Sequence, residues 1–176
     1  MRKNLLVWQV IGITFTAVFG TILHFLYDWT NLRFVALFSA VNESTWEHMK
    51  LVFIPSLIFA IIQSVVGEKD YECFWLVKLI GILLGTLLIP VLFYTLGGVF
   101  GELSAIVNIA IFFIAVFIEY LTELILFNKL KCKRKIKWFS ITILIIILVL
   151  FFIFSFNPPN LPLFLDPVTN GYGITR

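Results

Sequence analysis

The chain has 176 residues, 61% of them hydrophobic and 13% charged, with a formal net charge of +3. Its mean hydropathy of +1.04 lies far above that of a soluble domain. A soluble fold of this size cannot hide 20 Phe and long Leu/Ile/Val runs without large exposed apolar patches, so the composition excludes one and makes the bilayer the natural solvent.

The first apolar run, Leu5–Tyr27, follows a basic start at Arg2 and Lys3. That pattern resembles a signal peptide, but no small-x-small cleavage pattern follows, so the run reads as an uncleaved first transmembrane helix. Gly12, Thr16 and Gly20 repeat at small-xxx-small spacing along it, a device that lets helices approach closely. Near its end His24 and Asp28 share a face, being four residues apart, and Tyr27 and Trp29 read as interfacial anchors. The next apolar piece, 32–41, is only half a span and reads as an interfacial or re-entrant segment.

The stretch "VNESTWEHMK", Val41–Lys50, is far more polar than its surroundings. Within it "STWE" has the form of a capping box, with Ser44 capping a helix whose third residue is Glu47. The second span therefore runs over 44–66. Capping does not account for Glu43, four residues before Glu47, or for His48, and Glu and His are good ligands for zinc or a similar divalent ion. Lys50, with Arg33, is suited to hold an anionic substrate such as a lipid phosphate, or else snorkels to the interface. Trp46 reads as a belt residue.

The third span, 74–96, carries "GILLG", another small-xxx-small step at Gly81 and Gly85. Pro55 and Pro90 are expected to kink the second and third spans. On the fourth span, 103–127, Asn108 and Glu119 fall on one face with Glu123 beside it, and Glu119 lies about 12 Å from the end of the run. A carboxylate there carries a proton, binds a cation, or pairs with Lys78. Glu123 is near enough to the basic loop to be neutralised by it. After the fifth span, 139–156, comes a Pro/Asn/Gly-rich tail, 157–176, containing "LPLFL". Such a tail is suited to fold back over the bundle and bring Asp166 and Tyr172 to the histidines. The competing expectation is a surface turn opened by Asp166.

The expected architecture is thus all-α, a single membrane domain of five spanning helices plus the half-length segment. The basic residues of 128–138 and the N-terminus fall on one side, made cytoplasmic by the positive-inside rule, and the tail falls outside. The basic loop is expected to touch anionic lipid, and a nucleic-acid role is excluded by its shortness and place. Cys73 and Cys132 share no metal spacing and lie on the cytoplasmic side, so no disulfide is expected. Both histidines meet at the outer ends of the first two spans, joined by a short connection. His24, Asp28, Glu43 and His48 are the candidate metal ligands, zinc favoured, with Glu47 or Asp166 activating water and Lys50, Arg33 and Tyr172 binding substrate; the competing expectation is a metal-free hydrogen-bond network that ties the two helices together.

The segments at His24–Trp29 (H-x2-Y-x-W), Val41–Lys50 (VNESTWEHMK) and Pro162–Ile174 (PLFLDP…YGI) resemble a family of small bacterial multi-pass membrane proteins of unknown function. The resemblance implies a protein of the bacterial cytoplasmic membrane and assigns no residue a role. Three functions stay open: a metal-dependent hydrolase of lipid or another amphiphile, a transporter or ion-coupled protein using Glu119 and Asn108, and a scaffold without chemistry. Oligomeric state is not readable from the sequence.

Overall fold

The structure, a computed structural model, describes residues 3–66, 73–132 and 136–174. Its helices are α1 (Lys3–Thr30), α2 (Thr45–Val66), α3 (Phe74–Phe100), α4 (Ala105–Lys129) and α5 (Ile136–Phe156), with 3-10 turns at Val35–Leu37 and Pro162–Phe164. All five helices are long and apolar enough to cross a membrane. A helix satisfies its own backbone groups, which lipid cannot do, so long apolar runs fold this way. The β structure among the described residues is an isolated antiparallel bridge between Leu165 and Tyr172. Arg2, residues 67–72 with Lys69, residues 133–135 of the basic loop and Arg176 lie outside the described residues.

Helix α2 is the centre of the bundle. Of its apolar window 61% is buried, against 22–44% for the other four helices, and it packs on all of them. Val52, Phe53, Ile82, Ala115 and Phe151 form the core around it. Large apolar side chains such as Val10, Val91, Phe117 and Ile146 face outward, as lipid contact requires.

The small-residue pattern on α1 marks its buried face. Leu5, Gln9, Gly12, Thr16, Gly20, Leu23 and Tyr27 recur every three or four residues and are all buried. A Cβ on Gly12 would lie 2.2 Å from the Tyr120 ring, and one on Gly20 would lie 2.7 Å from the Leu51 carbonyl oxygen. Gly12 thus seats the Tyr120 ring of α4, and at Gly20 the α2 backbone comes too close for a side chain on α1.

The segment 32–41 is a compact turn rather than a length of regular helix. Ser39 inserts into the backbone ladder of α1: its hydroxyl accepts from Tyr27 N at 2.9 Å and donates to the Leu23 carbonyl. Those are the two groups an unbroken α-helix joins directly. Ala40 N also donates to Leu23 O, at 3.2 Å. The turn is thereby fastened beside His24.

The expectation of unpaired cysteines is corrected. Cys73, just before α3, and Cys132, just after α4, form a disulfide with Cα atoms 5.3 Å apart. The connection between α3 and α4 is short, so they run antiparallel and their far ends meet. Sequence spacing is blind to that juxtaposition, because the bridged residues are 59 apart.

Candidate metal site

The residues that begin α2 are set by local hydrogen bonds. Asn42 Oδ1 accepts from Ser44 N at 2.9 Å, and the Ser44 hydroxyl accepts from Glu47 N at 3.4 Å. This realises half of the capping box. The Glu47 carboxylate does not return to the Ser44 N–H; it accepts from Val41 N at 3.1 Å instead.

One turn into α2, His48 Nδ1 lies 2.9 Å from the Ser44 carbonyl oxygen. A carbonyl only accepts, so Nδ1 carries the proton and the neutral ring presents the Nε2 lone pair. That Nε2 lies 3.5 Å from Glu43 Oε2, and His24 Nε2 approaches the same oxygen at 3.7 Å. The two rings meet edge to face, with centroids 5.3 Å apart. One ligand atom from each of His24, Glu43 and His48 lies within 4.8 Å of the others. The three side chains are 26%, 46% and 29% exposed, so the cluster sits at the bundle's rim, open to water.

The two Nε2–Oε2 separations are longer than hydrogen bonds and slightly longer than the spacing of ligand atoms around a metal ion. N–H···O bonds run at about 2.7–3.2 Å, shorter than either contact. Two ligand atoms of a tetrahedral zinc, each bonded at about 2.0–2.1 Å, stand about 3.3 Å apart. The contact from His48 Nδ1 to a backbone carbonyl is the usual outer-shell arrangement of a ligating histidine.

A cavity of about 40 Å³ opens beside the cluster, lined by His24, Asp28, Glu43, Asp166 and Thr169 among others. It is large enough for one or two waters. The tail closes one side of it. Asn42 Nδ2 donates to the Gly173 carbonyl at 2.9 Å, tying the tail to the start of α2. Asp166 is buried, and its carboxylate accepts from Val168 N at 3.0 Å and the Thr169 hydroxyl at 2.6 Å. Asp166 therefore opens a turn, and that turn lines the cavity with His24, whereas Tyr172 does not reach it. Tyr172 is half-buried in the bridge to Leu165, and Arg33 is exposed on the preceding turn.

Two other polar residues of the motif lie elsewhere. Lys50 is fully buried, with Nζ 2.6 Å from Glu47 Oε2, 3.0 Å from the Ala36 carbonyl and 2.7 Å from the Ser155 hydroxyl. All three of its protons are placed, so it neither snorkels nor faces a substrate. Glu47 is equally buried, and its second oxygen lies 2.9 Å from the Ser155 hydroxyl. Together they lock α2 to α5 and to the 32–41 turn. Trp46 is not a belt residue but stacks among Phe151, Phe154 and Phe164. Ser39 and Ser155 carry much of this arrangement, and neither stands out in the sequence. Nothing local distinguishes a serine that bonds a distant helix from one that bonds its own.

Deeper in the bundle Glu119 and Glu123 are both fully buried. Lys78 pairs with Glu123, at 2.6 Å, rather than with Glu119. Glu123 is thus neutralised from inside the bundle and not by the basic loop. Asn108 is only half-buried, near the start of α4.

The chain belongs to a family of unknown function (DUF6512), which it matches over residues 1–174. No curated protein and no solved structure matches it.

Proposed function

Since that family brings no activity with it, we propose from geometry alone that His24, Glu43 and His48 bind a divalent metal ion, zinc first, at the membrane surface. The observation that carries this reading is the convergence of three ligand atoms within 4.8 Å, with the His48 ring already oriented by Ser44. Three protein ligands leave a position open for water, the arrangement of a catalytic rather than a structural zinc. A bound ion of this kind makes water a nucleophile at neutral pH.

The reading extends to hydrolysis of a lipid or other amphiphile. Asp166 and Asp28 line the cavity beside the cluster and are the carboxylates placed to orient water there. Glu47 takes no part in that step, because it is buried in its ion pair with Lys50 and does not line that cavity. Arg33, exposed on the adjoining turn, is the cation available to an anionic headgroup. Orientation is part of the same proposal: the basic loop lies against anionic lipid in the cytoplasm, and the metal site and tail face outside.

The deciding experiment is metal analysis by mass spectrometry on detergent-purified protein. About one zinc, manganese or iron per chain is expected, lost in His24→Ala and His48→Ala without loss of helix content. A wild-type protein that stays metal-free after incubation with zinc would leave only a structural cluster and remove the hydrolase reading.

A further inference from the structure

The second polar set, on α4, stands apart from the metal cluster and has its own logic. Glu119 and Glu123 are one turn apart, and each fills the space above one glycine of "GILLG". A Cβ on Gly85 would fall 2.7 Å from Glu119 Oε2, and one on Gly81 would fall 2.5 Å from Glu123 Cγ. Two helices that merely needed to pack closely would place small residues on both sides. Here the small residues of α3 receive carboxyl-bearing side chains from α4, about 15 Å along the helix from Lys129 in the case of Glu119.

The charges in this pocket of side chains do not balance. Lys78 is engaged by Glu123. Both Glu119 oxygens are buried without a hydrogen-bond partner. Around the two carboxylates stand Ser56 of α2, Lys78 of α3, Tyr120 of α4 and Gln9 of α1. Gln9 is 3% exposed, lies beside Glu123, and its amide is also unpartnered. Two carboxylates with one lysine leave one negative charge over, which an apolar interior tolerates only with a partner. The close seat of Glu119 against Gly85 suits the smallest partner there is.

Hydroxyls lead away from that position. Ser56 lies beside Glu119, Thr16 Oγ1 is 3.4 Å from Ser56 Oγ, and Tyr120 OH is 2.7 Å from Thr16 Oγ1. Each such group both donates and accepts, so these hydroxyls give the protonated carboxyl polar neighbours in an otherwise apolar interior.

We propose that Glu119 is a proton-binding site in the middle of the bundle, flanked by the hydroxyls of Ser56, Thr16 and Tyr120. The site is independent of the metal cluster and is the chemistry a proton-coupled membrane protein needs.

The test is infrared spectroscopy of the protein in phosphatidylcholine vesicles at neutral pH. A protonated-carboxyl band that shifts in D2O is expected in wild type. It should persist when the ion pair is removed whole, in Lys78→Met/Glu123→Gln, and vanish when Glu119→Gln is added. Gln has the shape of the protonated acid, so the bundle should keep its helix content. If Glu119→Gln nonetheless fails to fold, the wild-type and double-variant spectra decide. Absence of the band in wild type, or its loss in the double variant, would overturn the site.

Discussion

His48 is oriented before any ion arrives: the Ser44 carbonyl holds Nδ1, and Nε2 is turned toward Glu43 and His24. Because both imidazoles must be unprotonated to ligate, zinc binding is expected to weaken steadily as pH falls, with protons released on binding. Zinc titrations by calorimetry in buffers of differing pH check this, and pH-independent affinity would exclude the histidines. Lys50 makes a separate prediction. Lys50→Met leaves Glu47 buried without its cation and is expected to cost about 3–5 kcal/mol, whereas Lys50→Met with Glu47→Gln should cost clearly less. Thermal unfolding of both variants in one detergent measures the difference. The metal candidates were legible in the sequence because a short connection forces His24 and the start of α2 together. The role of Lys50 was not, since its partner Ser155 lies 105 residues away on another helix.

At the scale of the helices, the glycines divide into those that seat a neighbour and those that do not. Gly81 and Gly85 meet Glu123 and Glu119, while Gly97 has nothing within 4 Å of its would-be Cβ. Gly85→Ala is expected to destabilise the bundle by about 1–3 kcal/mol through overpacking. Gly97→Ala should be neutral, or stabilising by up to about 1 kcal/mol from helix propensity alone. Unfolding midpoints of the two variants separate these effects. Ser39 gives the other helix-level test. Ser39→Ala removes the hydroxyl that bridges Tyr27 N and Leu23 O, so it should loosen the 32–41 turn from α1. Faster amide exchange at Tyr27 and Ala40, with the rest of α1 unchanged, is the expected signature. Helix number and buried faces could be read from apolar run lengths and small-residue spacing. The pairing of Gly81 and Gly85 with carboxylates could not, because the same motif serves plain helix contacts.

For the whole molecule the open variable is its orientation. The proposed orientation sets the Cys73–Cys132 end in the cytoplasm, while a disulfide belongs to an oxidising compartment. With the proposed orientation, a tag after the tail should be reachable by protease from outside in intact cells. A protected tag would reverse the placement. By itself the sequence determined the solvent, the five helices and the polar motif that opens α2, because hydropathy, run length and capping are properties of neighbouring residues. Tertiary structure alone decided that Cys73 meets Cys132, that Lys50 serves Glu47 and Ser155, and that Lys78 chooses Glu123 over Glu119. Each of those depends on which helix faces which and at what height, and that is set by packing across the bundle rather than along the chain.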